Sequence, residues 1–442
     1  MTQWTAGRPV RAPGAGRPGM LARGLRDLTR PPGFRRNLWL VLLATFLVFV
    51  GIGIQTVILN LYLVGLGFAA DYLGLFSFAN TAAIGGAAFA AGALTHRVPT
   101  RLVLLGAVAG AALSMGGLVA TADGMILLAL SVGNGVALAH VFVPIAPFLM
   151  DNARADQRPA AFAGYFAAQA LASMVGSLVG GLLPRAVAPD PGALEHGYLI
   201  TLIAAAVVTG LGCVPLALAD DSTEEGSRTS RAPEPDGAVA RRQVRRDLAW
   251  MVSANGLVAA STGFAIPFVN VFFDQQLGAS TATIGAVFAL ASAAMALGSL
   301  LGPPAGRWVG PVGAVVLGRT LVIPLLVGLG LAPDALSGAA LYVVRTFLFN
   351  LTWPVDNAFA MELVPTRLRA TLAALRSTSW NLGWSVASAA AGAVIVHLGF
   401  TVVFLASAAL LAVGNLVYFV GFRGRQLSAG VEPPVTAPRL EV

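Results

Sequence analysis

The sequence predicts an all-α polytopic membrane protein whose twelve transmembrane helices form two six-helix pseudo-repeats. Three observations predict it: 57% of the 442 residues are hydrophobic and only 11% are charged, apolar segments recur along the chain, and its two halves resemble each other. A soluble domain carries about 25% charged residues. This chain therefore has too few charges to cover a water-facing surface of its size.

Twelve apolar segments are long enough to cross about 30 Å of hydrocarbon at 1.5 Å per residue. They cover residues 38–66, 72–94, 101–121, 124–150, 160–184, 198–219, 248–273, 281–305, 311–331, 338–361, 377–398 and 400–421. We expect five regions: a basic cytoplasmic tail (1–37), an N-terminal half (38–219), a cytoplasmic linker (220–247), a C-terminal half (248–421) and a cytoplasmic tail (422–442).

The basic residues predict the orientation of these segments. All 28 of them are arginine, against 20 acidic residues, for a net charge of +8. With both termini in the cytoplasm, 25 of the 28 lie in the tails, the linker or cytoplasmic loops, and only Arg185 lies in an outer loop. This positive-inside bias predicts a multi-pass plasma-membrane protein with both termini cytoplasmic. It accounts for the basic charge without any nucleic-acid partner.

An internal repeat relates the two halves. A shift of about 211 positions superposes the following pairs: Asp123 on Asp334, Arg158 on Arg369, Gly74 on Gly285, and Gly181 on Gly392. An even number of helices per half gives both halves the same orientation, related by an axis along the membrane normal. Such a design predicts a solute cavity at the interface of the halves.

A short charged motif follows the second span and returns in weaker form after the eighth. Its members are Gly92, His96, Arg97 and Arg101 in the first copy, and Gly302 and Arg307 in the second. The motif and the six-plus-six arrangement resemble the major facilitator superfamily of secondary transporters. The resemblance implies rocking of two halves around one site, and a loop charge network in which His96 stands where the family has an acid. A loop that needs only positive charge and a turn explains the same residues.

Charged side chains inside the spans require a reason, because each costs about 2.5 to 3.5 kcal/mol at the centre of a spanning helix. Arg345 and Asp356 share one stripe of the tenth span, and His140 lies in the fourth. We expect Arg345 to bind an anionic or polar substrate group, and Asp356 and His140 to be the proton-coupling candidates. Pairing with a neighbouring helix is the alternative for both charges, and hydrogen-bonded packing is the alternative for His140. Arg319, near the end of its span, is expected to reach the membrane surface.

Uncharged polar and aromatic residues complete the expected substrate site. The full set of candidates is Gln55, Asn60, Asn134, His140, Asn270, Arg345, Asn350, Trp380 and Trp384. Aromatic rings offer a large apolar area with a polar edge, which suits a ring-bearing or amphipathic solute. Anchoring at the lipid interface is the alternative for the tryptophan pair.

These features favour a secondary active transporter that exports a drug-like or amphipathic compound, with protons as the candidate coupling ion. Uptake or exchange of a small polar or anionic metabolite is the first alternative, and a non-transporting receptor or scaffold is the second. No phosphate-binding loop with lysine exists, since the chain has no lysine. We expect no enzymatic activity, no cofactor and no metal site. The expected partners are a small-molecule solute and the lipid bilayer.

The coupling hypothesis makes a prediction about one side chain. An Asp356→Asn variant should lose proton-coupled flux while folding normally, because the carboxyl that takes up the proton is gone. Flux driven by a pH gradient, recorded with a pH-sensitive dye in proteoliposomes, tests this. Unaltered pH-driven transport in the variant would remove Asp356 from the mechanism.

Overall fold

The computed structural model describes residues 36–95, 97–154, 157–219, 238–365 and 368–424, which form helices and turns. The spanning helices are α1 (Arg36–Gly65), α2 (Ala70–Leu94), α3 (Thr100–Gly117), α4 (Gly124–Asn152), α5 (Arg158–Val187), α6 (Leu194–Leu211, continued by Cys213–Ala217), α7 (Ala238–Ala265, continued to Gln276), α8 (Thr281–Val309), α9 (Pro311–Gly330), α10 (Ala335–Leu363), α11 (369–398) and α12 (400–422). The predicted all-α, twelve-helix fold is confirmed. His96, most of the predicted linker and nearly all of both tails lie outside the described residues.

The last two helices follow each other with a single residue between them. The helical run Arg369–Phe422 has 54 residues, too many for one crossing at 1.5 Å per residue. Gly399 breaks the run with φ 80° and ψ 174°, a conformation that glycine adopts without the steric penalty of a Cβ. Two spans result, as the sequence predicts.

Two helix starts differ from the predicted spans. Helix α7 begins at Ala238, not near residue 248, so the arginine-rich end of the predicted linker is helical. Helix α11 begins at Arg369, not near residue 377, which places Arg376 inside the bundle. Hydropathy locates the apolar part of a helix, and both helices extend beyond that part with arginine-bearing turns.

The repeat is visible in the packing of the helices. Helix α1 packs on α5 and α6, as α7 packs on the α11–α12 segment, and α2 packs on α4 as α8 packs on α10. The N-caps are equivalent too: the carboxylate of Asp123 accepts from the backbone N–H of Met125 at 2.8 Å, and that of Asp334 accepts from Ser337 at 2.8 Å. The same sequence signal therefore starts α4 and α10.

The hydrophobic core differs between the two ends of the bundle. Residues 36 and 424 lie at one end, because the number of crossings is even; we call it the terminal side and the other the distal side. On the distal side one buried cluster joins both halves, from Val57 on α1 to Phe272 on α7. On the terminal side each cluster of the described residues stays within one half, two in the N-terminal half and one in the C-terminal half. The halves are thus packed together distally and separate terminally.

Glycine residues bring the two halves into backbone contact on the distal side. A Cβ added at Gly181 on α5 would lie 2.7 Å from the Cα of Gly285 on α8. At the repeat-related contact, a Cβ at Gly74 on α2 would lie 3.1 Å from the Cα of Gly392 on α11. Small residues permit such close helix packing in membranes. The four glycines that the repeat relates in two pairs are therefore the ones that meet across the two halves, each touching a member of the other pair.

This contact predicts that added bulk is not tolerated. Gly285→Val should lower the free energy of unfolding by about 1 to 3 kcal/mol, because the new methyl groups force α8 away from α5. Gly106→Val on α3 is the matched control, since a Cβ there meets nothing within 4 Å. Thermal unfolding in detergent measures both. Equal melting temperatures for the two variants would contradict the assigned contact.

Candidate functional site

A cavity of about 690 Å³ lies between the halves and draws residues from seven helices. Six of its lining side chains are amides: Gln55, Asn60, Asn80, Asn134, Asn270 and Asn381. Six are aromatic: Phe76, Phe142, Phe288, Tyr342, Trp380 and Trp384. Among the described residues, those that line it include no Asp, Glu, Arg or His. The cavity therefore offers hydrogen bonds and ring surfaces without a formal charge.

An amide clasp joins the halves where the cavity meets the distal core. The Nδ2 of Asn60 on α1 donates to the Oδ1 of Asn270 on α7 at 3.3 Å, and Asn270 donates in return to the carbonyl oxygen of Val57 at 3.0 Å. Helix α7 is irregular here, with a 3-10 turn at Ile266–Phe268 and a π turn at Phe272–Gln276. Such backbone is tolerated at membrane depth where it lines a cavity or is buried in protein.

A second polar group lies on the N-terminal half. The Nδ2 of Asn80 on α2 donates to the carbonyl oxygen of Ser131 at 3.0 Å and to the Oδ1 of Asn134 at 3.2 Å, both on α4. The Oγ of Ser131 donates in turn to the carbonyl oxygen of Phe76 at 2.8 Å. The Nδ2 of Asn134 is buried and has no partner. Asn134 thus lines the cavity, while this nitrogen is enclosed by protein atoms.

A row of aromatic rings leads from the cavity into the C-terminal half. Trp384 lies 6.2 Å from Trp380, which meets Trp353 edge-on at 4.8 Å, and Trp353 lies 6.3 Å from Phe349. The far end of the row carries the guanidinium of Arg345, 4.8 Å from the centre of the Phe349 ring. The tryptophan pair lines the cavity, which is not the position of a lipid-facing anchor.

The predicted substrate-binding residues divide into two groups. Gln55, Asn60, Asn134, Asn270, Trp380 and Trp384 line the cavity. His140, Arg345 and Asn350 do not. The Nδ1 of His140 lies 2.8 Å from the carbonyl oxygen of Val136 on its own helix, and the amide of Asn350 donates to Thr346 at 2.9 Å. Both side chains satisfy local backbone groups.

The loop-motif residues lie on the terminal side, at or near the ends of helices. The Nε of Arg101 donates to the carbonyl oxygen of Leu216 at 3.1 Å, at the C-terminal end of α6, where unpaired carbonyl groups favour a cation. Gly92 lies in the last turn of α2, and Arg97 lies in the turn that follows this helix. Arg307 is exposed on α8. Gly302 packs on α10, where a Cβ would meet the ring of Pro354 at 3.5 Å.

Asp356 belongs to a buried ionic network in the C-terminal half. Its Oδ2 accepts from Arg319 on α9 at 3.1 Å and from Arg376 on α11 at 2.8 Å, with all three side chains no more than 7% exposed. Arg376 also donates to the sulfur of Met251 on α7 at 2.9 Å. Arg319 is therefore buried and does not reach the membrane surface. Asp356 ties α9, α10 and α11 together and does not line the cavity.

The N-terminal half has no counterpart of this network. The shift of 211 residues places Val108, Ile145 and Tyr165 at the positions of Arg319, Asp356 and Arg376. All three belong to the apolar cluster of that half. The same helix packing is thus achieved once with aliphatic and aromatic contacts and once with a charge network.

Sequence reasoning missed several residues of the site. Asn80 gave a usable signal, since it is an amide in the middle of an apolar span, as the identified candidates are. Tyr342, Phe288 and Phe142 gave none, because aromatic residues in spans face lipid, core and cavity alike. Hydropathy places Arg376 in a loop, because it does not show that the helix begins at Arg369, about two turns before residue 377.

Two packed helical halves enclose a cavity that is closed on the distal side. This is the architecture of a membrane transporter built from two related halves. The chain belongs to the Major Facilitator Superfamily, whose family model matches residues 41–388. It is 27% identical over 181 residues to an uncharacterized MFS-type transporter, YttB, of Bacillus subtilis (strain 168). That match covers 41% of this chain and 45% of the relative.

Solved transporters share the fold. A bacterial homologue of the human lysosomal transporter Spinster, in an inward-facing and occupied conformation, has a TM-score of 0.68 at 15% identity, over 87% of this chain and 96% of its own. The nucleoside transporter NupG has a TM-score of 0.71 at 14% identity, over 88% and 100%. The human organic anion transporter MFSD10 has a TM-score of 0.55 at 16% identity, over 88% and 100%. At these identities the likeness shows the fold alone.

The ionic network changes the expectation for Asp356. Asp356→Asn should lower the free energy of unfolding by about 3 to 5 kcal/mol, because two buried guanidinium groups lose their counter-ion. The triple variant Arg319→Val, Asp356→Ile, Arg376→Tyr copies the residues of the other half and should be more stable than the single variant, since no charge stays buried. Thermal unfolding compares them. A single variant as stable as wild type would show that the network holds nothing together.

Proposed function

We propose that the protein is a secondary transporter that exports a ring-bearing, amphipathic small molecule by alternating access. One observation carries the proposal: the cavity between the halves combines six amides with six aromatic side chains and is lined by no formal charge. Amides orient a polar group by hydrogen bonds, while rings bury an apolar body. The lining residues themselves supply no counter-charge, so a charged group of the solute has to pair with a residue outside the lining.

The proposed orientation is compatible with export. Both termini are cytoplasmic in this proposal, in a plasma membrane, because nearly all of the arginine lies on the terminal side. The distal seal then faces outward, and the cavity lies toward the cytoplasm, reaching Ala88, Val143 and Ser377 on the terminal half of their helices. Loading of a cytoplasmic solute from this state is the first step of export.

The energy source in this proposal is a gradient. None of the lining residues has a carboxyl or imidazole group, so a driving proton has to act outside the cavity lining. Asp356 and His140 stay the coupling candidates. For Asp356 this requires the network with Arg319 and Arg376 to rearrange during the cycle. The alternative, uptake or exchange of a small polar or anionic metabolite, depends on Arg345 as the group that binds an anion.

Replacing one cavity ring tests the proposed binding site. Trp380→Ala should weaken binding of a ring-bearing solute by about three- to tenfold, because aromatic pairing is lost. Trp308→Ala is the control, since that indole is 87% exposed and remote from the cavity. A fluorescent amphipathic dye reports both binding and direction. The dependence of transport on dye concentration gives the apparent affinity, and accumulation in inverted vesicles together with loss from right-side-out vesicles gives the direction. Equal affinities for both variants would remove the aromatic wall from the site.

The orientation has its own test. Cys213 is the single cysteine, so Cys213→Ser gives a background into which Gly192→Cys or Gly424→Cys can be introduced at exposed positions. An impermeant maleimide added to intact cells should label the first variant, on the distal side, and not the second. Permeabilised cells, in which both should react, provide the control. The reverse pattern would place the termini outside and make the proposed direction wrong.

A further inference from the structure

Arg345 is a buried cation that lacks a counter-ion. The residue is 5% exposed, and in the described chain its guanidinium makes no hydrogen bond and no ion pair. The guanidinium carbon lies over the face of the Phe349 ring, 4.8 Å from its centre. Of its nitrogens, only Nε is fully enclosed without a partner. The terminal nitrogens, also without partners, touch accessible space.

Such an arrangement is costly unless a ligand completes it. A buried charge is ordinarily paired, since its desolvation is not repaid by ring contacts alone. The other two buried arginine side chains of the described chain, Arg319 and Arg376, both bond to Asp356. An intramembrane charge with no structural partner is the expected mark of a substrate group.

The position of Arg345 connects it to the cavity. Tyr342, one turn earlier on α10, lines the cavity and packs on Phe288, another lining residue, at 5.6 Å. The Phe349 ring beneath the guanidinium begins the aromatic row that ends at the cavity wall. The shift of 211 residues pairs Arg345 with Asn134, which lines the cavity from the other half and also has an unpartnered buried donor.

We propose that Arg345 binds an acidic group of the solute, so that the transported compound is an aromatic organic anion. This inference rests on the proposed transport function and deepens it. The ring of the solute lies along the tryptophan wall, and its carboxylate or equivalent acid group pairs with the guanidinium in a low-dielectric site. A bidentate guanidinium–carboxylate pair is among the strongest polar contacts available.

A matched pair of probes tests the charge requirement. Naphthoate and naphthamide have nearly the same shape and differ in charge, and ligand-induced shifts of the melting temperature over a concentration series give their affinities. Wild type should bind naphthoate roughly tenfold or more tightly than naphthamide, because a hydrogen bond to a charged group exceeds a neutral one. Arg345→Gln should abolish the difference, and Arg345→Lys should keep part of it. Arg307→Gln, at an exposed arginine of α8, should leave the preference unchanged.

The outcomes separate the two proposals. Without ligand, Arg345→Gln should melt no lower than wild type, because it removes an unpaired buried charge, so that loss of naphthoate binding is not loss of folding. If Arg345→Gln retains the preference for naphthoate, or wild type binds both probes equally, the inference is overturned and the transport proposal stands. If folded wild type binds neither compound and exports no amphipathic dye, the proposed function itself fails.

Discussion

Hydrocarbon offers no hydrogen bonds, and this constraint explains where each polar side chain of the bundle lies. Asn60 and Asn270 satisfy each other across the halves, and Asp356 satisfies two arginine residues at once. Because such pairing is the rule in a water-free interior, the exceptions carry meaning. Among the described residues, two of the side chains that keep a buried donor without a partner are Asn134, which lines the cavity between the halves, and Arg345, one turn after the lining residue Tyr342.

The two halves have the same helix packing but contribute different residues to the cavity and are stabilised by different interactions. The repeat supplies the same helix pairs and the same aspartate caps on α4 and α10. Yet the N-terminal half contributes amides to the cavity and holds its terminal side together with apolar packing, while the C-terminal half contributes the tryptophan wall and holds itself together with charges. Ionic networks depend on geometry more steeply than apolar contacts do. The C-terminal half is therefore the one in which a small helix shift has a large energetic effect.

The sequence predicts the fold well because hydropathy and the arginine pattern act on whole segments, and a repeat of 211 residues checks the count. It predicts the site less completely. Amides such as Asn60 and Asn270 are exceptional in apolar spans and can be recognised one residue at a time. The pairing of Asp356 with Arg376, and the isolation of Arg345, depend on which helices become neighbours, and spacing along α10 contains no information about α9 or α11. The sequence does not reveal the aromatic wall, because aromatic residues occur throughout membrane-spanning helices, whether they face lipid, core or cavity.

The single-residue break at Gly399 affects how the C-terminal half moves. Only Gly399 separates α11 from α12. We therefore expect a tilt of α11, which carries the tryptophan pair, to be transmitted to α12. The start of α12 is fastened to α9 as well, since the hydroxyl of Thr401 donates to the carbonyl oxygen of Gly330 at 2.9 Å. We therefore expect a displacement of α11 to move α12 and α9 with it.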